Sequence, residues 1–284
     1  MKDHLALVGQ SIKRIEASYE IKDTILFALG LGFGSDPVNE QELKFVYEEG
    51  LLTLPTMSLV IGYPGFWMRE PQYGFNWQQV LHAEEELIIH EPLPTAGTLI
   101  GETFVDEVVD RGKDKGVFVY TRKELTAADS GKQYATVISN TLARGDGGFG
   151  GPTEGRPKPP ALPPGDPDYI CDISTLPQQA LIYRLSGDMN PLHADPDIAR
   201  GVGFERPIMH GRCTMGVAQR AILKTCCDND PAMIKSMRLR FSAPFLPGET
   251  LRTEIWRSGD QVHFRSSSLE RDTVVLNNGL VTLV

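Results

Sequence analysis

An alternation of apolar and polar residues marks the second half of the chain most clearly. Met237, Leu239 and Phe241 fall on one side of an extended run, and Arg238 and Arg240 fall on the other. A period of two is typical of a β-strand that buries one face. The same pattern predicts three further strands, at residues 251–257, 261–267 and 273–283.

The first half of the chain repeats this arrangement. Its strand patterns lie at residues 85–91, 98–109, 116–123 and 133–143. The two halves also share a turn segment, PLPTAGTL at residues 92–99 and PFLPGETL at residues 244–251, which precedes a strand in each half. We therefore expect two copies of one unit that is built mainly from antiparallel sheet.

Each half also contains a helical pattern ahead of its strands. Residues 208–223 run for sixteen positions without a proline and carry one apolar face. In the first half the apolar run 25–29 is shorter, with Asp23 as its expected N-cap and Gly30 as its end. The predicted fold class is α+β, with a helix and an antiparallel sheet in each copy.

A segment rich in glycine and proline, residues 145–168, separates the two copies. Such a composition cannot hold a helix or a central strand. The sequence therefore predicts an N-terminal domain over residues 1–145, a linker over 146–168 and a C-terminal domain over 169–284.

Composition and charge narrow the classes of function. The net charge of −9 disfavours general binding to nucleic acid, which needs a basic surface. We expect no membrane span, because the apolar runs are far shorter than about 20 residues. The N-terminus mixes both charge signs, unlike a signal or transit peptide, and the C-terminal Val-Thr-Leu-Val is not a Ser-Lys-Leu type peroxisomal address. The four cysteines form no C-x-x-C pair and are interpreted as reduced thiols.

The candidate chemistry lies in SGDMNPLHADP, residues 186–196, which brings Asp188, Asn190 and His193 within six positions. Gly187 allows a sharp turn, and Pro191 stiffens the loop. A carboxylate and an imidazole that share one water molecule can move both protons when water adds to a double bond. The alternative is structural: Asp188 caps a turn, Asn190 forms an Asx-turn and His193 is an ordinary buried histidine.

Two short helices are expected to hold this loop. The first covers residues 177–186, with Ser174 and Thr175 as candidate caps. The second starts at Asp195-Pro196, an N-cap followed by a first-turn proline.

His210-Gly211 opens the long predicted helix. The Gly211 N–H at a helix N-terminus can donate to a carbonyl oxygen that gains negative charge. Alternatively, Gly211 only permits close packing of the helix start. We expect His210 to be a loop histidine that bonds to the backbone, with a second polar group near the site as the alternative. No metal is expected, because the histidines are scattered without H-x-x-x-H spacing, and GLGFGSDP at residues 30–37 is rejected as a dinucleotide motif because it follows a helix.

Several of these segments resemble one family. YRLSGDMNPLHADPDIA at residues 183–199 is similar to the hydratase 2 signature of the MaoC-like, (R)-specific 2-enoyl-CoA hydratases, which include the hydratase domain of peroxisomal multifunctional enzyme type 2. Segments across the rest of the chain also resemble this domain, namely residues 54–62, 80–97, 145–151, 204–216 and 240–251.

The resemblance implies a double hot dog fold, in which each domain wraps a curved antiparallel sheet around a long helix. It implies that the C-terminal domain carries the catalytic loop and the N-terminal domain accommodates the acyl chain. The implied reaction is the reversible syn hydration of trans-2-enoyl-CoA to (3R)-3-hydroxyacyl-CoA in fatty acid β-oxidation, which makes the chain a carbon–oxygen lyase.

By position in the family, Asp188 and His193 are the catalytic pair, with the choice of base and acid left open. Asn190 orients water or substrate, and the Gly211 amide holds the thioester oxygen. The implied substrate contacts are Asp188, Met189, Asn190, Pro191, Leu192, His193, Gly211, Phe241, His82, Ala83 and Arg111. Ala83 stands where relatives have glycine and Arg111 where they have lysine, so a solvated surface role for Arg111 stays open.

The resemblance also implies a homodimer, a peroxisomal location and no cofactor beyond the coenzyme A that the substrate carries. A cytoplasmic or mitochondrial location is the alternative. The competing functions are a hot dog acyl-CoA thioesterase, an acyl carrier protein dehydratase and a non-catalytic acyl-CoA-binding module. The dehydratase is disfavoured because an acidic chain offers no basic docking patch for a carrier protein.

Overall fold

The computed structural model describes residues 4–157 and 159–284. Five strands belong to the first half: β1 (Ser11–Tyr19), β2 (Val80–Ile89), β3 (Gly97–Asp110), β4 (Val117–Ala127) and β5 (Gln133–Ala143). Five belong to the second: β6 (Tyr169–Ser174), β7 (Ile234–Phe241), β8 (Thr250–Ser258), β9 (Gln261–Ser268) and β10 (Thr273–Leu283). The α-helices are α1 (Ile21–Gly30), α2 (Glu40–Leu43), α3 (Gln179–Tyr183), α4 (Pro196–Gly201) and α5 (Gly211–Cys226).

The strands of this part of the chain form one antiparallel sheet in the order β1-β3-β4-β5-β2-β7-β10-β9-β8-β6. The second half repeats the order of the first in reverse, so the two halves meet at β2 and β7. At this seam Glu85 lies opposite Leu239, and Leu87 lies opposite Met237. The predicted double hot dog is confirmed, with each half contributing five strands around its own interior.

Helix α5 fills the interior of the second half. Twelve of its sixteen residues are buried, so it lies inside the curved sheet. It begins three residues later than the predicted helix at 208–223, since the backbone of His210 is extended (ψ 137°), and the Met209 N–H before it donates to the Phe245 carbonyl (2.8 Å).

The first half fills its interior differently. Helix α1 has ten residues, of which four are buried, and it contacts α3. Residues 53–62 are all buried and include a 3₁₀ helix at Pro55–Leu59 that contacts α5, β2 and β5. The Lys123 ammonium lies inside this half and donates to the carbonyls of Ser58 (2.7 Å) and Ile61 (2.6 Å). A buried lysine therefore holds the end of this 3₁₀ helix and the turn that follows it.

The predicted N-cap of α1 is wrong. The helix begins earlier, after Glu20, and Asp23 lies at its third position. The two residues form a reciprocal capping box, in which the Asp23 carboxylate accepts the Glu20 N–H at 2.8 Å. Asp23 thus stabilises the helix start, but from inside the first turn.

The linker predicted over residues 146–168 crosses the outer face of the sheet, and residue 158 lies outside the described residues. Its described residues form neither helix nor strand, as expected. Arg156 donates to Asp106 (3.2 Å), Asn278 donates to the Pro160 carbonyl (3.1 Å) and the Trp256 indole donates to the Gly165 carbonyl (3.1 Å). The linker is therefore fastened to strands of both halves.

Within residues 4–157 and 159–284, no helix combines the length and the apolar composition needed to cross a lipid bilayer.

Asp110 organises the glycine-rich start of the linker. Its carboxylate accepts the backbone N–H groups of Gly112 (2.9 Å), Gly148 (2.7 Å), Gly150 (2.8 Å) and Gly151 (3.4 Å). Burial opposes ionisation, but these four donors outweigh it and lower the pKa of Asp110 to about 2. One charged side chain at the end of β3 thus fixes the loop of residues 145–151.

This arrangement predicts the stability of an Asp110→Asn variant. Asparagine would face some of these N–H groups with its own NH₂, so the variant should lose about 1–3 kcal/mol of unfolding free energy at pH 7, measured by urea denaturation. Because the folded pKa of Asp110 is lowered from 3.8 to about 2, its advantage over asparagine should shrink as the pH falls across that range. A difference that stays constant from pH 7 to pH 2 would contradict this account.

Candidate active site

The candidate loop follows α3 and a 3₁₀ turn at Arg184–Ser186. Gly187 then has a φ of 129°, which favours glycine and turns the chain towards the interior. The predicted caps of α3 are wrong. Ser174 ends β6, and the Thr175 hydroxyl donates to the Glu249 carbonyl at 2.7 Å. The entry into this loop is therefore held by the neighbouring strands.

Short side-chain bonds to the backbone shape the loop itself. Asp188 Oδ1 accepts the Asn190 N–H (3.2 Å), and Asn190 Oδ1 accepts the Leu192 N–H (3.1 Å), which caps a 3₁₀ turn at Pro191–His193. Asp195 caps α4 as predicted, accepting the Asp197 N–H at 2.8 Å. The Asx-turn weighed as a structural role for Asn190 is thus present.

His193 is buried, and its ring is fixed at one nitrogen. Nδ1 lies 2.8 Å from the Ile208 carbonyl. A carbonyl only accepts, so Nδ1 carries the proton and Nε2 of the neutral ring keeps its lone pair. Burial lowers the pKa of His193, against the opposing effects of the Ile208 carbonyl and Asp188. The ring is therefore a neutral acceptor at neutral pH.

His210 lies inside the site. Its ring stacks on that of His193, with centroids 3.7 Å apart and planes inclined by 29°. Its Nε2 donates to the Asp188 carbonyl at 3.1 Å, so the expected bond to backbone is present. Burial, followed by the neighbouring His193, lowers the pKa of His210 to about 3. His210 thus joins the loop of residues 186–196 to the start of α5, and the sequence had offered a polar role near the site as the alternative.

The side chains of Asp188, His193 and His210 lie close together. A carboxylate oxygen of Asp188 and one ring nitrogen each of His193 and His210 lie within 4.8 Å of one another. One water molecule can bridge groups up to about 5.5 Å apart with two ordinary hydrogen bonds. The same three groups could ligate a metal ion, but lone pairs in stacked rings lie in nearly parallel planes and do not converge on one point. The arrangement fits a shared water better.

Gly211 opens α5 next to these groups. It lies in the first turn, where backbone N–H groups have no partner within the helix. A Cβ at this position would lie 3.0 Å from Cε1 of Phe241, so only glycine leaves the ring in place. The His82 ring packs against the Phe241 ring, with the two ring centroids 4.6 Å apart. The structure thus brings Gly211, Phe241 and His82 together.

The remaining predicted substrate contacts divide into two groups. Met189, Pro191 and Leu192 belong to the catalytic loop, and Ala83 adjoins His82 at an irregularity of β2. Arg111 lies elsewhere, on the β3–β4 connection, where its guanidinium stacks over Phe118 at 5.0 Å. Among residues 4–157 and 159–284, no contact joins Arg111 to the loop of residues 186–196.

The sequence missed a polar cluster beside the site. Arg212 follows Gly211 and forms an ion pair with Glu85 of β2 (3.1 Å). Burial opposes the ionisation of Glu85, but Arg212 and His82 lower its pKa to about 2. Glu85 lies in the run Glu84-Glu85-Glu86. Three successive glutamates are typical of residues exposed to solvent, so the local sequence gives no indication that Glu85 is buried.

Comparison with known proteins identifies a matching family for each half of the chain. Residues 161–278 match the family described as MaoC like domain, and residues 17–145 match the MFE-2 hydratase 2 N-terminal domain. The probable enoyl-CoA hydratase 2 of Dictyostelium discoideum is 36% identical over 98% of this chain and 95% of its own length. The peroxisomal multifunctional enzyme type 2 of Mus musculus is 36% identical over 98% of this chain, which spans 38% of that enzyme.

A solved structure is similar over the whole chain. The MaoC-like dehydratase from Phytophthora capsici superimposes with a TM-score of 0.87 at 33% identity, covering 100% of this chain and 98% of that one.

The burial of His193 predicts its titration. Because desolvation penalises the imidazolium, the ring should stay neutral at pH 7 and titrate with a midpoint below the ordinary value of 6.5. We expect this midpoint from an NMR titration of the ring protons, assigned with a His193→Gln variant. A midpoint at or above 6.5 would contradict the geometry of the Ile208 bond and the burial.

Proposed function

The chain belongs to the MaoC-like hydratase 2 family, and from that membership we propose that it catalyses the reversible hydration of trans-2-enoyl-CoA to (3R)-3-hydroxyacyl-CoA. The observation that carries the proposal is that a carboxylate oxygen of Asp188 and a ring nitrogen of His193 lie within 4.8 Å of each other, in a cluster with His210, which directly precedes Gly211 at the start of α5. A hydratase needs a water held by proton-transfer groups and a donor for the thioester oxygen, and these residues supply both.

The first step is attack by water. The Asp188 carboxylate and His193 Nε2 each accept one hydrogen of the same water molecule, which directs its oxygen at C3 of the alkene. As the C–O bond forms, the proton moves to His193 Nε2. His193 is assigned as the base because the Ile208 carbonyl holds the proton on Nδ1 and leaves Nε2 free to accept.

The electrons of the C2=C3 bond move to the thioester oxygen during this attack. The resulting enolate oxygen accepts the N–H of Gly211, at the positive end of α5. A preorganised donor of this kind contributes about 3 kcal/mol to the transition state. The proton on His193 then passes to C2 and restores the neutral ring. The water has added as H and OH, and no further co-reactant takes part.

The stereochemistry follows from the position of the two groups. Asp188 and His193 lie on one loop, so the hydroxyl and the proton reach the alkene from the same face. We therefore propose syn addition. The R configuration depends on which face the substrate presents, and the family membership supports R.

The substrate contacts are proposed as follows. The loop residues Met189, Asn190, Pro191 and Leu192, together with Phe241, His82 and Ala83, surround the acyl thioester. Arg111 is the candidate for the coenzyme A phosphates, with a solvated surface role as the alternative. The substrate itself carries coenzyme A, so the proposed reaction uses no additional cofactor.

Assembly and location are also proposals. The family supports a homodimer. Relatives named as peroxisomal enzymes support a peroxisomal location and a place in fatty acid β-oxidation, with the cytoplasm or the mitochondrion as alternatives.

The catalytic pair can be tested with near-isosteric variants. Asp188→Asn and His193→Gln should each lower kcat for hydration of 2-decenoyl-CoA at least ~100-fold, because the first removes the carboxylate that orients the water and the second removes the base. Asp195→Asn on the same loop is the matched control. Asparagine caps helices as well as aspartate does, so this variant should keep near-normal turnover. If either catalytic variant retains near-normal kcat, the assignment is wrong.

The reaction itself can be tested through its product. Incubation with 2-decenoyl-CoA should give a 3-hydroxy product that an R-specific dehydrogenase oxidises and an S-specific one does not. Release of free coenzyme A, followed with a thiol reagent, should stay at background. Thiol release without loss of the alkene would instead identify a thioesterase, and an S product would overturn the stereochemical proposal.

A further inference from the structure

The start of α5 is tied to the N-terminal half by Arg212, the residue next to Gly211. We infer that Arg212 and its partner Glu85 are positioning residues, which fix the direction of the Gly211 N–H and so set its strength as a donor to the thioester oxygen. This inference rests on the proposed hydratase function. It assigns the N-terminal half a part in catalysis beyond accommodating the acyl chain.

Arg212 is held from several sides. Its Nε and Nη2 donate to the two oxygens of Glu85 (3.1 and 3.3 Å), and Nη2 also donates to the Ser139 hydroxyl (3.2 Å). Its Nη1 donates to the Leu59 carbonyl (3.3 Å), and its guanidinium lies 4.3 Å from the centre of the Tyr63 ring. Every one of these partners belongs to the N-terminal half.

The groups that receive Arg212 are themselves fixed. Lys123 donates to the Ser58 and Ile61 carbonyls, which flank the Leu59 carbonyl that Arg212 uses. Glu85 also accepts the Ser139 hydroxyl (2.7 Å), and its side chain is fully buried. A planar guanidinium in such a setting has one orientation, because bidentate pairing and stacking both fix its plane.

A second series of contacts connects the Arg212–Glu85 ion pair with Gly211, the proposed donor. Glu85 Oε2 lies 2.6 Å from His82 Nε2, the His82 ring packs on Phe241, and the Phe241 ring lies over Gly211. Gly211 is joined in turn to Arg212 by the chain. Since glycine has no Cβ and the first turn has no internal acceptor for its N–H, the direction of this group depends on the contacts around it.

The energetics of buried ion pairs agree with a geometric role. A buried pair costs desolvation of both charges, and apolar residues of similar volume often stabilise a fold as well or better. What the pair supplies is a defined geometry. An oxyanion donor loses most of its effect when its direction is wrong, so geometry matters most at the residue next to Gly211.

The same helix offers a matched control. Arg220 forms a second buried pair with Glu42 of α2 (Nε–Oε1 2.7 Å and Nη2–Oε2 2.8 Å). It also joins α5 to the N-terminal half, and it is a bidentate arginine–glutamate pair like the first. It lies in the middle of the helix, away from Gly211. The two pairs therefore differ mainly in their distance from the proposed donor.

The experiment compares two double variants of the full chain, Arg212→Met with Glu85→Gln and Arg220→Met with Glu42→Gln. Each removes one ion pair and leaves an amide oxygen to accept the remaining donors. We expect both to lower the melting temperature. Only the Arg212 variant should lower kcat for 2-decenoyl-CoA hydration, by about tenfold, a fraction of the 10²–10³ that a lost oxyanion donor costs. Its KM should change less than threefold, and its pH–rate profile should keep the same midpoints.

Other outcomes overturn the inference. They are a kcat within twofold of the unchanged chain, an equal kcat loss in both double variants, or a loss with shifted midpoints, which would mean that Arg212 acts on the Asp188–His193 pair. If the Arg212 variant does not fold, Arg212→Lys decides: a folded protein with reduced kcat and unchanged KM supports positioning, and full activity refutes it. Absence of hydration by the unchanged chain would refute the proposed function instead.

Discussion

The hydrogen bond between His193 and the Ile208 carbonyl is the constraint on which the site depends. It joins two segments that lie 15 positions apart in the chain, the loop after α3 and the extended residues that lead into α5. It sets the tautomer of His193, and the adjacent stack of His193 on His210 then brings Asp188 close. Together with the bond from His210 Nε2 to the Asp188 carbonyl, it holds the loop of residues 186–196 against the start of α5.

The two halves share a sheet plan but not an interior. The second half encloses a sixteen-residue helix, and its first turn supplies Gly211. The first half has a ten-residue helix with only four buried residues, and it encloses the segment at residues 53–62, which the buried Lys123 holds. This difference matters at the seam, because the side chains of the first half reach across it towards the start of α5. Repetition of the sheet thus coexists with a division of chemical roles.

The local pattern of apolar and polar residues predicted much of this structure. The central strands alternate cleanly, and the predicted spans at 133–143 and 273–283 coincide with β5 and β10. The loop at residues 186–196 could also be interpreted, because Asp188 and His193 are near in sequence and a glycine and prolines restrict the turn between them. Its signature resembled one family, and comparison confirmed that family over both halves.

The features that sequence missed depend on contacts between distant residues. The edge strands β1 and β6 were not predicted, since an edge strand pairs on one side only and its pattern is weaker. β2 begins five residues before its predicted start, because residues 80–84 pair with the end of β5, about 60 positions away in the chain. The cap of α1 was misplaced since a capping box uses two acidic residues, and Asp23 is the inner one.

The fastened linker has a consequence for how such an enzyme could diversify. Two separate copies of one subunit must stay identical, because one gene encodes both and a change that suits one partner is imposed on the other. Joining the copies by a segment of about 20 residues raises their effective concentration to the millimolar range without any new interface. Each copy is then free to accumulate its own substitutions, so one can give up its reactive loop and specialise as a scaffold for the other.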